Sequence, residues 1–158
     1  YVMSSALASS NYYMGLNSTS AAALSGVSQY SATATTVSYP STPTAGSLIS
    51  YLFATLAGIS KVGSYTGTAA DLNVDCGFTA GARFILIKRT DSTGDWYTYD
   101  SVRGITAGND PYLLFNTTAA QVTGTNYVES LNAGFTVTSS APAALNASSG
   151  TYIFLAIA

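Results

Sequence analysis

Phe84-Ile85-Leu86-Ile87, then Asp91-Ser92-Thr93-Gly94, then Asp95-Trp96-Tyr97-Thr98-Tyr99-Asp100, form an apolar run, a turn and an aromatic run. The first is rich in β-branched and aromatic residues and starts soon after Gly81, which reads as a strand. Asp, Ser and Gly between the runs are what a turn demands. The third run is built of strong β-formers, so the whole stretch predicts a hairpin with a Gly-containing loop. By strand alternation Tyr97 and Tyr99 share one face and Trp96 takes the other.

The same signals recur on both sides. Tyr112-Leu113-Leu114-Phe115 reads as a strand ended by Asn116, and Asn126–Leu131 with Phe135–Thr138 as a second hairpin turning at Asn132-Ala133-Gly134. Thr151–Ile157 is continuously apolar, which predicts a strand buried on both faces. Upstream, Ser47–Leu56 is similar in kind, and Lys61–Tyr65 and Leu72–Val74 are shorter strands. Residues 18–25 and Ala119-Ala120-Gln121 are the two places where a helical turn is expected, both too short to define the class. Short strands with regular turn signals argue for an all-β fold: an antiparallel, jelly-roll-like β-sandwich with few or no helices.

Composition narrows the setting. Charged residues are 8% of the 158 and the net charge is −2, against ~25% charged in an average soluble domain. There is no His and one Cys, which excludes a His-based triad, a His metal site and an intrachain disulfide. Five basic residues cannot build a nucleic-acid stripe, and no apolar stretch is long enough for a membrane span. All the charges lie between Lys61 and Glu129; residues 1–60 and 130–158 have none. Long uncharged flanks are expected to lie in a subunit interface, under glycans, or to be kept soluble by Ser and Thr hydroxyls alone.

Two internal echoes suggest duplication. Tyr13–Thr19 resembles Tyr112–Thr118, and Tyr51–Ala57 resembles Tyr152–Ala158, with Pro40 and Pro43 facing Pro142. On this reading residues 58–158 are one complete β-sandwich module and residues 1–57 the second half of a preceding module or an assembly segment. A half-module leaves sheet edges that something must cover. The start, Tyr1-Val2-Met3, lacks an initiator Met and a basic leader, so the numbering is expected to begin inside a longer precursor or after processing.

Little looks like chemistry. Asp91–Asp95 has a carboxylate at each end and a Gly, but lacks the spacing of a calcium loop and reads as a hairpin turn. Asp95 and Asp100 would point to opposite strand faces, against a carboxylate dyad. Cys76 has no cationic sequence neighbour and reads as a small buried hydrophobe. Trp96, Tyr97 and Tyr99 are the candidate glycan-binding aromatics; Tyr12, Tyr13, Tyr51 and Phe53 are the candidate subunit-interface residues. Asn17, Asn116 and Asn146 each begin an N-glycosylation triplet. There is no phosphate loop, CxxC pair or nucleophile elbow, so no enzyme, metal or cofactor is expected.

The stretch Gly81–Tyr97, with Asp100–Gly104, Gly108–Leu114, Asn116–Ala120 and Gly150–Ala158, resembles a module of tailed-bacteriophage virion structural, tail-fibre-like proteins. Tyr51–Ala54 to Lys61–Tyr65 resembles the usual run into that module, so the likeness covers roughly residues 48–158. It implies a β-sandwich virion component and carries no catalytic residues to transfer. The expected role is a self-assembling structural subunit, in a virion or outside the cell, whose partners are copies of itself. The alternatives are a carbohydrate-binding module at a fibre tip and a subunit of a glycan-coated, pilus-like filament.

Overall fold

A computed structural model of the chain describes residues 2–26, 30–33, 35–39 and 49–158. Strands β5 (Ser60–Thr66), β6 (Leu72–Asp75), β7 (Phe84–Arg89), β8 (Trp96–Asp100), β9 (Tyr112–Leu114), β10 (Val128–Leu131), β11 (Gly134–Val137) and β12 (Thr151–Ile157) build the sandwich. One sheet has the order β5-β12-β7-β8-β9 and the other β10-β11-β6, and every pairing is antiparallel. The fold is an all-β sandwich, as the strand spacing predicts.

Both predicted hairpins form. β7 and β8 pair from Phe84 opposite Asp100 to Lys88 opposite Trp96. β10 and β11 turn at Asn132-Ala133, with Leu131 opposite Gly134. Gly134 is required there, because a Cβ would lie 2.2 Å from the Val74 carbonyl oxygen of β6. Alternation along β7, β8 and β12 sends Ile85, Ile87, Tyr97, Tyr99, Tyr152, Phe154 and Ala156 inward against Val74, Val128, Phe135 and Val137 of the second sheet. Central position and burial on both faces go together in β12: Ile153 faces the other way, into a second cluster.

That second cluster is the work of the N-terminal segment. β1 (Tyr12–Tyr13) and β2 (Ala23–Leu24) make a small antiparallel pair. Around it Leu7 and Met14 pack on Trp96 and Ile153, flanked by Val2, Ala6, Tyr12, Ala22 and Leu86. Residues 2–24 thus cover the outer face of the five-stranded sheet. They are pinned by Ala22 N–H to the Thr90 carbonyl (2.8 Å), Gly94 N–H to the Thr19 carbonyl (2.9 Å) and Trp96 Nε1–H to the Gly15 carbonyl (2.9 Å). A second two-stranded pair joins β3 (Ser31–Ala32) and β4 (Val37–Ser38).

Several local expectations need correction. Residues 18–25 form no helical turn: Ala22 is drawn to the end of β7, and Ala23–Leu24 enter β2. Residues 119–121 are not helical either, because Val122 pairs back onto Tyr112 and keeps the chain extended. Of the strand expected at Ser47–Leu56, residues 47 and 48 lie outside the described residues, as do Pro40 and Pro43, and 49–55 are outside any sheet. Leu56 makes only a bridge to Ser60. The one helix among the described residues, α1 (Ala143–Asn146), follows Pro142 and caps one end of the sandwich. Tyr65 and Tyr152 stack 4.8 Å apart beneath it and donate their hydroxyls to the Leu145 and Ala143 carbonyls.

Candidate assembly surface

The two open sides of the sandwich are finished differently. On the β9 side, Tyr112 and Val122 exchange backbone hydrogen bonds at 3.1 Å, and Arg103 Nε donates to Gln121 Oε1 at 3.0 Å. The buried Asp110 carboxylate accepts from Tyr127 and Val128 N–H at 3.0 and 2.8 Å, fixing the entry to β10. That edge is covered by the chain's own loops.

On the other side, β5 and β6 border a groove of about 440 Å³ lined by Lys61–Tyr65, Asn73–Asp75 and Phe154. Its walls are mostly apolar or hydroxylic, with one cation, Lys61, and one carboxylate, Asp75. Among the described residues, the β5 edge is occupied only at its start. Val62 N–H donates to Thr55 Oγ1 (3.1 Å), which donates to the Val62 carbonyl (3.2 Å); a side chain thus stands in for a neighbouring strand. Ser60 Oγ donates to the Ala54 carbonyl at 2.7 Å. By the two-residue period, the backbone groups of Ser64 point to the same edge as those of Val62.

Residues 49–56 lead up to this edge with their apolar side chains in solvent. Tyr51 is 82% and Phe53 60% exposed. Of the four candidate interface residues, these two are the exposed ones, in the segment that runs into β5. Tyr12 and Tyr13 are half-buried in β1, Tyr12 turned toward the Trp96 cluster. Sequence reasoning missed Ile49, Leu52, Leu56 and Ile59, all exposed. The signal was present: these apolar residues sit in a stretch without a charge, but it read as a buried strand.

The glycan platform is a correction. Trp96, Tyr97 and Tyr99 occupy the predicted faces, yet all three are buried. Trp96 lies under the N-terminal segment. Tyr97 and Tyr99 pack against Tyr112 at centroid distances of 5.1 and 5.8 Å. Burial pushes the Tyr97 phenol up to about 12 and Tyr99 well above the usual tyrosine range. None presents a ring to a sugar.

The remaining candidates sort by their surroundings. The Asp91–Asp95 stretch is a turn held by Arg89, which pairs with both Asp91 oxygens and holds that carboxyl below its usual range. Asp95 accepts from Asn116 Nδ2 at 2.7 Å. No group of three potential metal ligands exists among the described residues. Cys76 is buried, and burial raises its thiol to about 11, unsuited to nucleophilic work. Of the glycosylation triplets, Asn17 is exposed in a turn, Asn116 is engaged by Asp95 and Trp96 N–H, and Asn146 is buried. Lys88 is fully buried. Its ammonium donates to the Thr19 and Arg89 carbonyls, both at 3.1 Å, and burial lowers it to about 8.

No curated protein and no solved structure matches the chain. One family profile, described as a domain of unknown function (DUF7483), matches residues 1–158 without a break. The N-terminal cover and the sandwich are matched as one unit, and the chain belongs to that family.

Proposed function

We propose that the protein is a non-enzymatic structural subunit of a virion or extracellular fibre or tube, assembled from copies of itself through uncharged apolar surface. One observation carries this reading: the run from Ile49 to Ile59 holds large apolar side chains in solvent beside a sheet edge, with no charge in the first sixty residues. Surface of this kind on a soluble protein is ordinarily covered by a partner. The resemblance of residues 48–158 to a phage virion module supports the same role and points to the virion among possible settings.

Sedimentation velocity tests it. Species larger than the 16.2 kDa chain are expected to grow in as concentration rises to about 100 µM, well above the Kd of a standard interface. A single species at the monomer mass throughout that range would overturn the reading.

A further inference from the structure

The proposed self-assembly leaves open which surfaces meet. Ile49, Tyr51, Leu52, Phe53, Leu56 and Ile59 are 77, 82, 64, 60, 56 and 55% exposed. At ~200 Å² for a large side chain, they hold out roughly 800 Å² of apolar surface. In total that is of the size of the ~800 Å² one partner gives to a standard interface.

A receiving surface exists on the same molecule. Among the described residues no strand pairs with the β5 edge beyond Val62, and the 440 Å³ groove beside it lies between the two sheets. β5 already accepts on its other edge a strand of the same pattern: Tyr152–Ile157 of β12 pairs with it from Tyr65 to Ser60, and Tyr51–Ala57 echoes Tyr152–Ala158. Charge neither favours a different partner nor opposes a like one. The apolar segment has none, and Lys61 and Asp75 in the groove balance.

The segment's own β5 is partly closed to it, because the Thr55 side chain occupies the Val62 N–H and carbonyl that a pairing backbone would need. We propose that residues 49–53 of one copy lie along the β5 edge, over the β5–β6 groove, of a second copy. This rests on the self-assembly reading and gives it a specific contact by strand addition.

Cross-linking across copies tests it. Leu52→Cys protein mixed with Ser64→Cys protein is expected to yield a disulfide-linked dimer under mild oxidation. Leu52→Cys mixed with Val102→Cys, an exposed site in the β8–β9 loop, is expected to yield little. Native Cys76 is buried and stays out of the exchange. Tyr51→Asp/Phe53→Asp is expected to lose the larger species in sedimentation while keeping the near-UV signature of Trp96, which marks an intact fold. Three results would overturn the contact. One is wild-type association with no selective Leu52–Ser64 link and an unaffected double-Asp variant. Another is a link that forms only within a single chain carrying both cysteines, meaning that the segment closes on its own β5. The third is a wild-type monomer, which removes the self-assembly reading as well.

Discussion

Two buried polar side chains show how much of this small sandwich depends on single residues. Asn146 uses its whole amide: Oδ1 accepts from Thr68 and Ala69 N–H, and Nδ2 donates to the Ala70 and Thr138 carbonyls. It ties the β5–β6 loop to the segments before β12. Asn146→Ala strands these groups in a site that water reaches poorly and is expected to cost about 3 kcal/mol, read from the urea midpoint; an unchanged midpoint would show that water replaces the amide. Lys88 makes a prediction with a sign. Its ammonium is held at about 8, against an ordinary 10.5, because burial disfavours the charge more than nearby Asp95 favours it. Between those values the unfolded chain binds more protons than the folded one, so stability from this group rises with pH. The penalty is full below pH 8 and gone above 10.5. Cys76 and the buried tyrosines act in the opposite sense at alkaline pH, so the comparison is with Lys88→Met, in which they cancel. Urea unfolding at pH 7.5 and pH 10 is expected to show wild type gaining on the variant; a constant difference would mean that the amine titrates normally.

Whole elements follow from pattern where side chains alternate and fail to where partners come from elsewhere in the chain. The β7–β8 and β10–β11 hairpins were legible because a turn between two apolar runs brings neighbours together, and β12 because continuity means two covered faces. Tyr51–Phe53 carries nearly the same letters as Tyr152–Phe154 yet forms no strand, since its neighbouring backbone groups are met by the Thr55 side chain. α1 was invisible: four residues after a proline give no periodicity. The burial of Trp96 was half legible. Alternation gave its face, but only a distant segment, Leu7 and Met14, turned that face from surface into core. That cover is testable as an element. Met14→Ala opens a cavity beside the chain's one tryptophan and is expected to cost ~2–5 kcal/mol. The cover packs on the outside of a sheet whose main cluster lies on the opposite face, so the loss is expected to appear first as local opening. Trp96 emission should shift to the red at denaturant concentrations where the near-UV signal of the inner tyrosines persists. Coincident transitions by both probes would instead make cover and sandwich one cooperative unit.

At the scale of the whole molecule, the distribution of charge divides the surface into two kinds. Charged pairs gather near strand ends, Arg89 with Asp91 and Arg103 with Asp100. Partly exposed pairs of this kind contribute no more than ~1 kcal/mol each. The β5 side, by contrast, joins an uncharged apolar segment to an edge that no described strand covers beyond Val62. These two surfaces predict opposite salt responses for association. Contacts through the charged ends would weaken as the screening length falls from ~14 Å at ~0.05 M salt to ~3 Å at ~1 M. Contacts through residues 49–59 and the β5 edge involve only Lys61 among the charged residues of those segments, and excluded salts strengthen apolar burial. Sedimentation at ~0.05 M sodium chloride, at ~1 M and with added sulfate is therefore expected to show association unchanged or increased along the series. Dissociation to the 16.2 kDa chain in high salt would move the contact to the charged strand ends and away from β5.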